Sequence, residues 1–185
     1  MRKEDIYWRI APLQDVMAGI EAGLSRIQTR MDDVEWFDVD QALEHSVWLL
    51  GVAFVAAQAY IEGTIGEVWR VQNEKDHVQS NASRKFTSEC HSHDTALAPG
   101  VTRIQFINAV ANHFKHRESP RGLDEHVWGV LRAAGITEKT EYPCARATEL
   151  LCGEKWRLRA LTEVVKEWRA HIFSRMGRGK AHPPS

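Results

Sequence analysis

The chain has 185 residues, 43% of them hydrophobic, with 24 Lys and Arg against 25 Asp and Glu, a net charge of -1. That length supports one domain with a real core and leaves little room for two. A balance this close to zero excludes a global basic field that would draw the protein onto nucleic acid, so any such binding has to come from a local patch.

The seven tryptophans, Trp8, Trp36, Trp48, Trp69, Trp128, Trp156 and Trp168, are spread along the chain, which suits core and interface anchors better than one stacking platform. Cys90, Cys144 and Cys152 are odd in number and have no CxxC spacing, and they read as reduced thiols of a cytoplasmic protein. The N-terminal MRKEDIYWRI has no apolar segment after its charges, so no secretory signal is expected there. The longest apolar run, Val47 to Ile61, is shorter than the roughly 20 residues of a membrane-spanning helix and contains Gly51 and Gln58, so a buried helix and no membrane partner are expected. There is no internal repeat and no Gly-rich phosphate loop.

In chain order, Pro12 suits the first turn of a helix, and Leu13, Val16, Met17, Ile20, Leu24, Ile27 and Met31 continue at helical spacing. After Trp36 and Phe37 a second helix is expected from Asp38 or Asp40 to about Val71. Its middle is apolar on every face, which predicts a central helix with neighbours all round. From Gln72 to Gly100 the periodicity is lost, and a connection of that length is partly helical, mobile or functional. Within it CHSHD brings Cys90, His91, His93 and Asp94 together. Four donors in five residues supply two or three ligands at most, so this segment reads as a surface loop, and no metal or other cofactor is expected.

A third helix runs over Val101 to Arg117, VTRIQFINAVANHFKHR. Ile104, Ile107, Val110, Ala111 and Phe114 form its apolar stripe, and Gln105, Asn112 and His116 fall nearly opposite, with Lys115 and Arg117 beside them. Pro120 can open a short helix whose buried stripe is Val127, Val130, Leu131 and Ala134, capped by Gly135. Pro143 interrupts, a short helix ends at Gly153, and a last long helix carries Trp156, Leu158, Leu161, Val164, Val165, Trp168 and Ile172. The tail at 177–185 is polar and expected to be disordered. With no convincing alternating strand, the fold class is all-α: one domain over 1–176, a bundle of four to five main helices with short connecting helices.

The ANHFKH segment, Ala111 to His116, resembles the ANxxKH or RNxxxH segment of HEPN-type domains, small helical bundles of bacterial defence, toxin–antitoxin and RNA-processing proteins. FVAAQAYIEGTI resembles the apolar helix of such proteins that ends in an E-x-x-hydrophobic turn before a variable loop. The resemblance implies metal-independent RNA cleavage at a site where two copies meet in a homodimer, with RNA and an antitoxin or other protein as partners. It assigns Asn112 to the motif's amide and His116 to its histidine, while Ala111 stands where the motif has arginine. Lys115 then joins Asn112 and His116 as a candidate catalytic residue, with Arg117, His113 and Gln105 as candidate substrate-binding residues. The other reading is a catalytically inactive helical module that binds a protein or nucleotide partner, with Trp128 or Trp156 as anchors.

Overall fold

The computed structural model describes residues 3–33, 38–72, 80–120 and 122–177. Trp36 and Phe37, and the expected disordered tail beyond Gly177, lie outside the described residues. The chain is 78% helical with one two-stranded ribbon, so the fold class is all-α.

Four helices build the bundle: α1 (Lys3–Asp33), α2 (Val39–Gln72), α4 (Arg103–His116) and α7 (Arg159–Gly177). The short α3 (Ser80–Ser92), α5 (Glu125–Ala133) and α6 (Pro143–Cys152) pack around them. Cross-links fix the directions. Arg9 of α1 pairs with Glu67 of α2, and Leu49 of α2 reaches Gly23 of α1, so these two helices are antiparallel. Glu21 accepts from the Arg159 N–H at 3.3 Å and Arg169 reaches Glu67 at 2.8 Å, which runs α7 against α1 and alongside α2. Phe114 against Gly51, with Asn108 and Asn112 against Gln58, sets α4 antiparallel to α2.

The apolar spacings account for the packing. Ile10, Leu13, Met17 and Ile20 of α1 face Leu50, Phe54, Ala57, Ile61 and Val68 of α2, with Ile104, Ile107 and Val110 of α4 and Leu161, Val165 and Trp168 of α7 closing the core. The α2 start is capped by Asp38, which accepts from the Asp40 N–H at 3.0 Å. Thr102 and Gln105 form a reciprocal capping box at the α4 start. Pro143 opens α6, and Gly135 and Gly153, at φ 80° and 77°, follow the ends of α5 and α6.

Several expectations are corrected. Pro12 lies inside α1 rather than in its first turn, because Ile10, fully buried on the upstream side, holds the preceding turn against the core. Val16 is 42% exposed and leaves the expected stripe. The α5 helix starts at Glu125 with Asp124 as its cap and is not opened by Pro120. Trp156 precedes α7 in a left-handed backbone conformation, φ 45°. The 72–100 connection carries regular structure where it is described: α3 ends at Ser92, and β1 (Ala96–Ala98) pairs antiparallel with β2 (Val101–Thr102) around Gly100 at φ 73°. By length and composition α2 is apolar enough to cross a membrane, and half of its most apolar window is buried inside the bundle. It is not enclosed all round, since Trp48 and Val52 are 55% and 42% exposed.

At Gly51 α2 comes close to α4, and a Cβ there would run into the Phe114 ring. A glycine-to-alanine change inside a helix ordinarily stabilises by up to about 1 kcal/mol. Here the sign reverses. We expect Gly51→Ala to cost about 1–3 kcal/mol in urea unfolding and Phe114→Leu to recover part of that loss, because a flexible aliphatic end can yield where a ring cannot.

A polar groove on the fourth helix

The face of α4 opposite its core stripe opens into a groove of about 450 Å³ between α2, α3, α4 and α5. Gln58 and Glu62 come from α2, Arg84 and His91 from α3, Gln105, Asn108 and Asn112 from α4, and His126 from α5. Helical spacing explains the convergence: Gln58 and Glu62 are four apart on α2, and Asn108 and Asn112 are four apart on α4.

An amide cluster forms its floor. The Gln58 Nε2 donates to Oδ1 of Asn108 at 2.5 Å and to Oδ1 of Asn112 at 3.2 Å. Gln58 is 8% exposed in the middle of an apolar helix, where an unbonded amide would be costly. The two bonds also orient both asparagines, since their oxygens face Gln58 and their Nδ2 groups are left as donors.

Beside the amides, the Glu62 carboxylate and the His91 imidazole approach each other, with Nε2 to Oε1 at 3.6 Å, beyond hydrogen-bonding distance. Burial pushes the Glu62 carboxyl up from its ordinary range, and the nearby Lys115 charge acts in the opposite direction. Burial takes His91 down to about 4, so the imidazole is neutral near neutral pH, and its Nε2 has no hydrogen-bond partner among the described residues. The end of α3 that carries His91 is fastened twice: Thr102 Oγ1 donates to the His91 carbonyl at 2.7 Å, and Trp168 Nε1 donates to the Cys90 carbonyl at 3.0 Å.

The structure divides the six residues singled out from the sequence. Asn112 and Gln105 line the groove, but Gln105 Oε1 already accepts from the Thr102 N–H at 2.9 Å in the capping box. Lys115 and His116 are exposed at the C-terminal end of the helix, His116 one turn beyond Asn112 on the same face. His113 and Arg117 turn the other way, toward α6. The Arg117 guanidinium lies 4.3 Å from the Trp48 and Phe114 ring centroids, and His113 meets Trp128 edge to face at 5.4 Å. Burial lowers the His113 pKa, and the Arg117 charge adds to the effect. Ala111 is fully buried and brings no group to the groove.

Trp128 and Trp156 pack against the core instead of standing out as anchors, and among the described residues Trp48 is the exposed indole. The CHSHD segment does not gather as ligands. Cys90 is buried, His93 faces Glu89 at 3.9 Å, and Asp94 takes two bonds from Arg103, at 2.8 and 3.2 Å. Among the described residues no three His, Cys, Asp or Glu side chains converge as a metal site. Burial raises the thiols of Cys90, Cys144 and Cys152 to about 11, 12 and 11, which makes them poor nucleophiles. Sequence reasoning missed Gln58, Glu62, Asn108, Arg84, His91 and His126 as groove residues. Gln58, a lone amide in the apolar middle of α2, was the signal that could have located the groove.

The buried His91 makes stability depend on pH. The folded state holds it neutral down to about pH 4, whereas the unfolded chain takes up the proton near its ordinary 6.5. Unfolding therefore binds a proton between these values, and stability falls as pH drops from 6.5 toward 4, by roughly 3 kcal/mol at most. Urea midpoints of the wild type should fall more steeply over that window than those of His91→Gln. Parallel curves would show that His91 is not held neutral.

Compared with protein-family models, with curated proteins and with solved structures, the chain gives no match, so the chemistry of the groove rests on its own residues.

Proposed function

We propose that the chain is a HEPN-like RNA-binding protein that holds RNA along the polar face of α4. The observation that carries this reading is the amide-lined groove leading one helical turn on to exposed Lys115 and His116. Amide donors and a carboxylate suit unstacked bases, and Arg84 and Lys115 supply cations for the phosphate backbone. A local cationic contribution of this kind is compatible with a chain whose net charge is only -1. The resemblance of the ANHFKH segment supports a cytoplasmic protein of a bacterial defence or toxin–antitoxin system.

A second reading, metal-independent RNA cleavage, draws on a further observation. Among the described residues the Lys115 and His116 side chains have no hydrogen bond or ion pair, so both are available to a ligand. His116 would take the proton from a ribose 2′-hydroxyl as its oxygen attacks the adjacent phosphorus. The bond from phosphorus to the 5′-oxygen breaks, that oxygen takes a proton from solvent water, and Lys115 stabilises the developing charge. Asn112, held by Gln58, sits one turn before them as a positioning group.

The deciding experiment measures binding and cleavage of a mixed RNA pool in EDTA. We expect Lys115→Ala to weaken binding several-fold and to lower the salt dependence by about one phosphate contact. His116→Ala should leave the fold intact and abolish any cleavage that yields 2′,3′-cyclic phosphate ends. A folded wild-type protein that neither binds nor cleaves RNA would leave the interaction-module reading.

A homodimer is part of the proposal, supported by the open face of α2 where Trp48, 55% exposed, carries Arg117 on its ring and Val52 follows one turn on. Light scattering should give twice the 21.1 kDa chain mass, and Trp48→Glu should return it to the monomer. A wild-type monomer at micromolar concentration would remove the dimer.

A further inference from the structure

If the groove holds RNA, its donors and acceptors carry information about which base it holds. Both asparagine oxygens on its floor accept from Gln58, so Asn108 and Asn112 present Nδ2 donors. The carboxylate of Glu62 lies in the same wall, one turn along α2 from Gln58, and offers two adjacent acceptors. Behind it stands His91, 8% exposed with an unpartnered Nε2, at 3.6 Å and too far to occupy a Glu62 oxygen. The site is thus a paired acceptor beside amide donors, inside a space within the roughly 300–1,000 Å³ of small-molecule sites.

Four bases can be tried against that pattern. Guanine has two adjacent N–H donors, N1–H and the N2 amino group, next to the O6 acceptor, and a carboxylate with a neighbouring amide N–H is its complement. Adenine sets one donor beside one acceptor and is matched by an amide offering both, but the asparagine oxygens here are engaged by Gln58. Cytosine likewise presents one donor, and uracil has a single N–H between two carbonyls that would face the carboxylate. We propose that the groove is a guanine-reading pocket, with Glu62 accepting from N1–H and N2–H and an asparagine Nδ2 donating to O6. The proposal rests on the RNA-binding reading and adds base selectivity to it. In this arrangement Arg84 and Lys115 hold the flanking phosphates, and one turn of α4 separates Asn112 at the base from His116 at the sugar–phosphate.

Selectivity is measured with labelled seven-nucleotide 2′-O-methyl RNAs, UUUXUUU with X as G, A, C or U, which cannot be cleaved through the 2′-hydroxyl. We expect the G oligonucleotide to bind about tenfold tighter than the other three and to be displaced by guanosine monophosphate ahead of adenosine monophosphate. Glu62→Gln should reduce that preference to threefold or less, since its amide group meets the guanine donors with a donor of its own. The Glu62 side chain is 48% exposed, so the variant is expected to fold, which circular dichroism checks. Equal affinity for all four, or preference for another base, overturns the guanine pocket and leaves RNA binding standing. A G preference undiminished in Glu62→Gln overturns the role given to the carboxylate. Failure to bind any of the four overturns both the pocket and the RNA-binding reading.

Discussion

The need to satisfy one amide inside an apolar helix shapes the candidate functional face of this protein. Gln58 lies among Phe54, Ala57 and Ile61, all fully buried, and is itself 8% exposed. A primary amide there would be destabilising by about 1–3 kcal/mol if left unbonded. Its two bonds come from Asn108 and Asn112, one turn apart on α4, so satisfying Gln58 fixes α4 in rotation and in register against α2. Gly51 and Phe114 complete the register two turns away. With that orientation set, the Ile104, Ile107 and Val110 stripe must face the core, and the residues on either side of the asparagines must line the groove or its end. Packing and the candidate site therefore share one constraint.

Charge is used differently in the two halves of the bundle. On the α7 side it is locked into structure. Arg169, 2% exposed, donates to Thr64 Oγ1 at 2.7 Å and to Glu67 Oε2 at 2.8 Å, and Arg103 is held between Asp94 and Glu167. Leaving either guanidinium without its carboxylate would strand a charge, so these pairs specify how α7 and the ribbon seat on α2 and α4. At the C-terminal end of α4 the cations are differently placed. Arg117 is spread on two rings, and Lys115 is exposed near the half-buried Glu62. A protein of balanced net charge can still present a local cationic site when some of its arginines, here Arg103 and Arg169, are paired internally.

Much of this was legible in the sequence, and the misses have physical causes. Period-3.6 stripes in α1, α2, α4 and α7 exposed the bundle because burial of an apolar face is a long-range requirement written at short range. Pro12 misled because tertiary burial of Ile10 outweighs the local cost of an interior proline. The polar α3 was hidden because its burial is concentrated at its end, where Cys90 and His91 dock through backbone carbonyls that leave no trace in side-chain pattern. The polar face of α4 was visible, whereas its division was not. Gln105 was drawn into a capping box, and His113 and Arg117 were turned toward aromatic neighbours by contacts from distant segments. Glu62 and His91 could not be paired from sequence, since they lie 29 positions apart and the periodicity is lost from Gln72 on.

The buried Ala111 sharpens what the α4 face can do. At 100° per residue its side chain points about a quarter turn from that of Asn112, into the core and away from the groove, and its full burial leaves no path for a longer cation without repacking. Among the described residues Arg84 on α3 lines this groove and Lys115 is exposed at the end of α4, so these two are placed to supply a cation to a ligand there. Arg84 depends on the seating of α3, which is fastened where Thr102 and Trp168 bond the carbonyls of His91 and Cys90. The capping residue of α4 thus also anchors the helix that supplies the groove's second cation. Loosening that junction would displace α3, and Arg84 with it, while α2 and α4 stayed joined through Gln58, so stability of the bundle and the shape of the groove are separable properties of this fold.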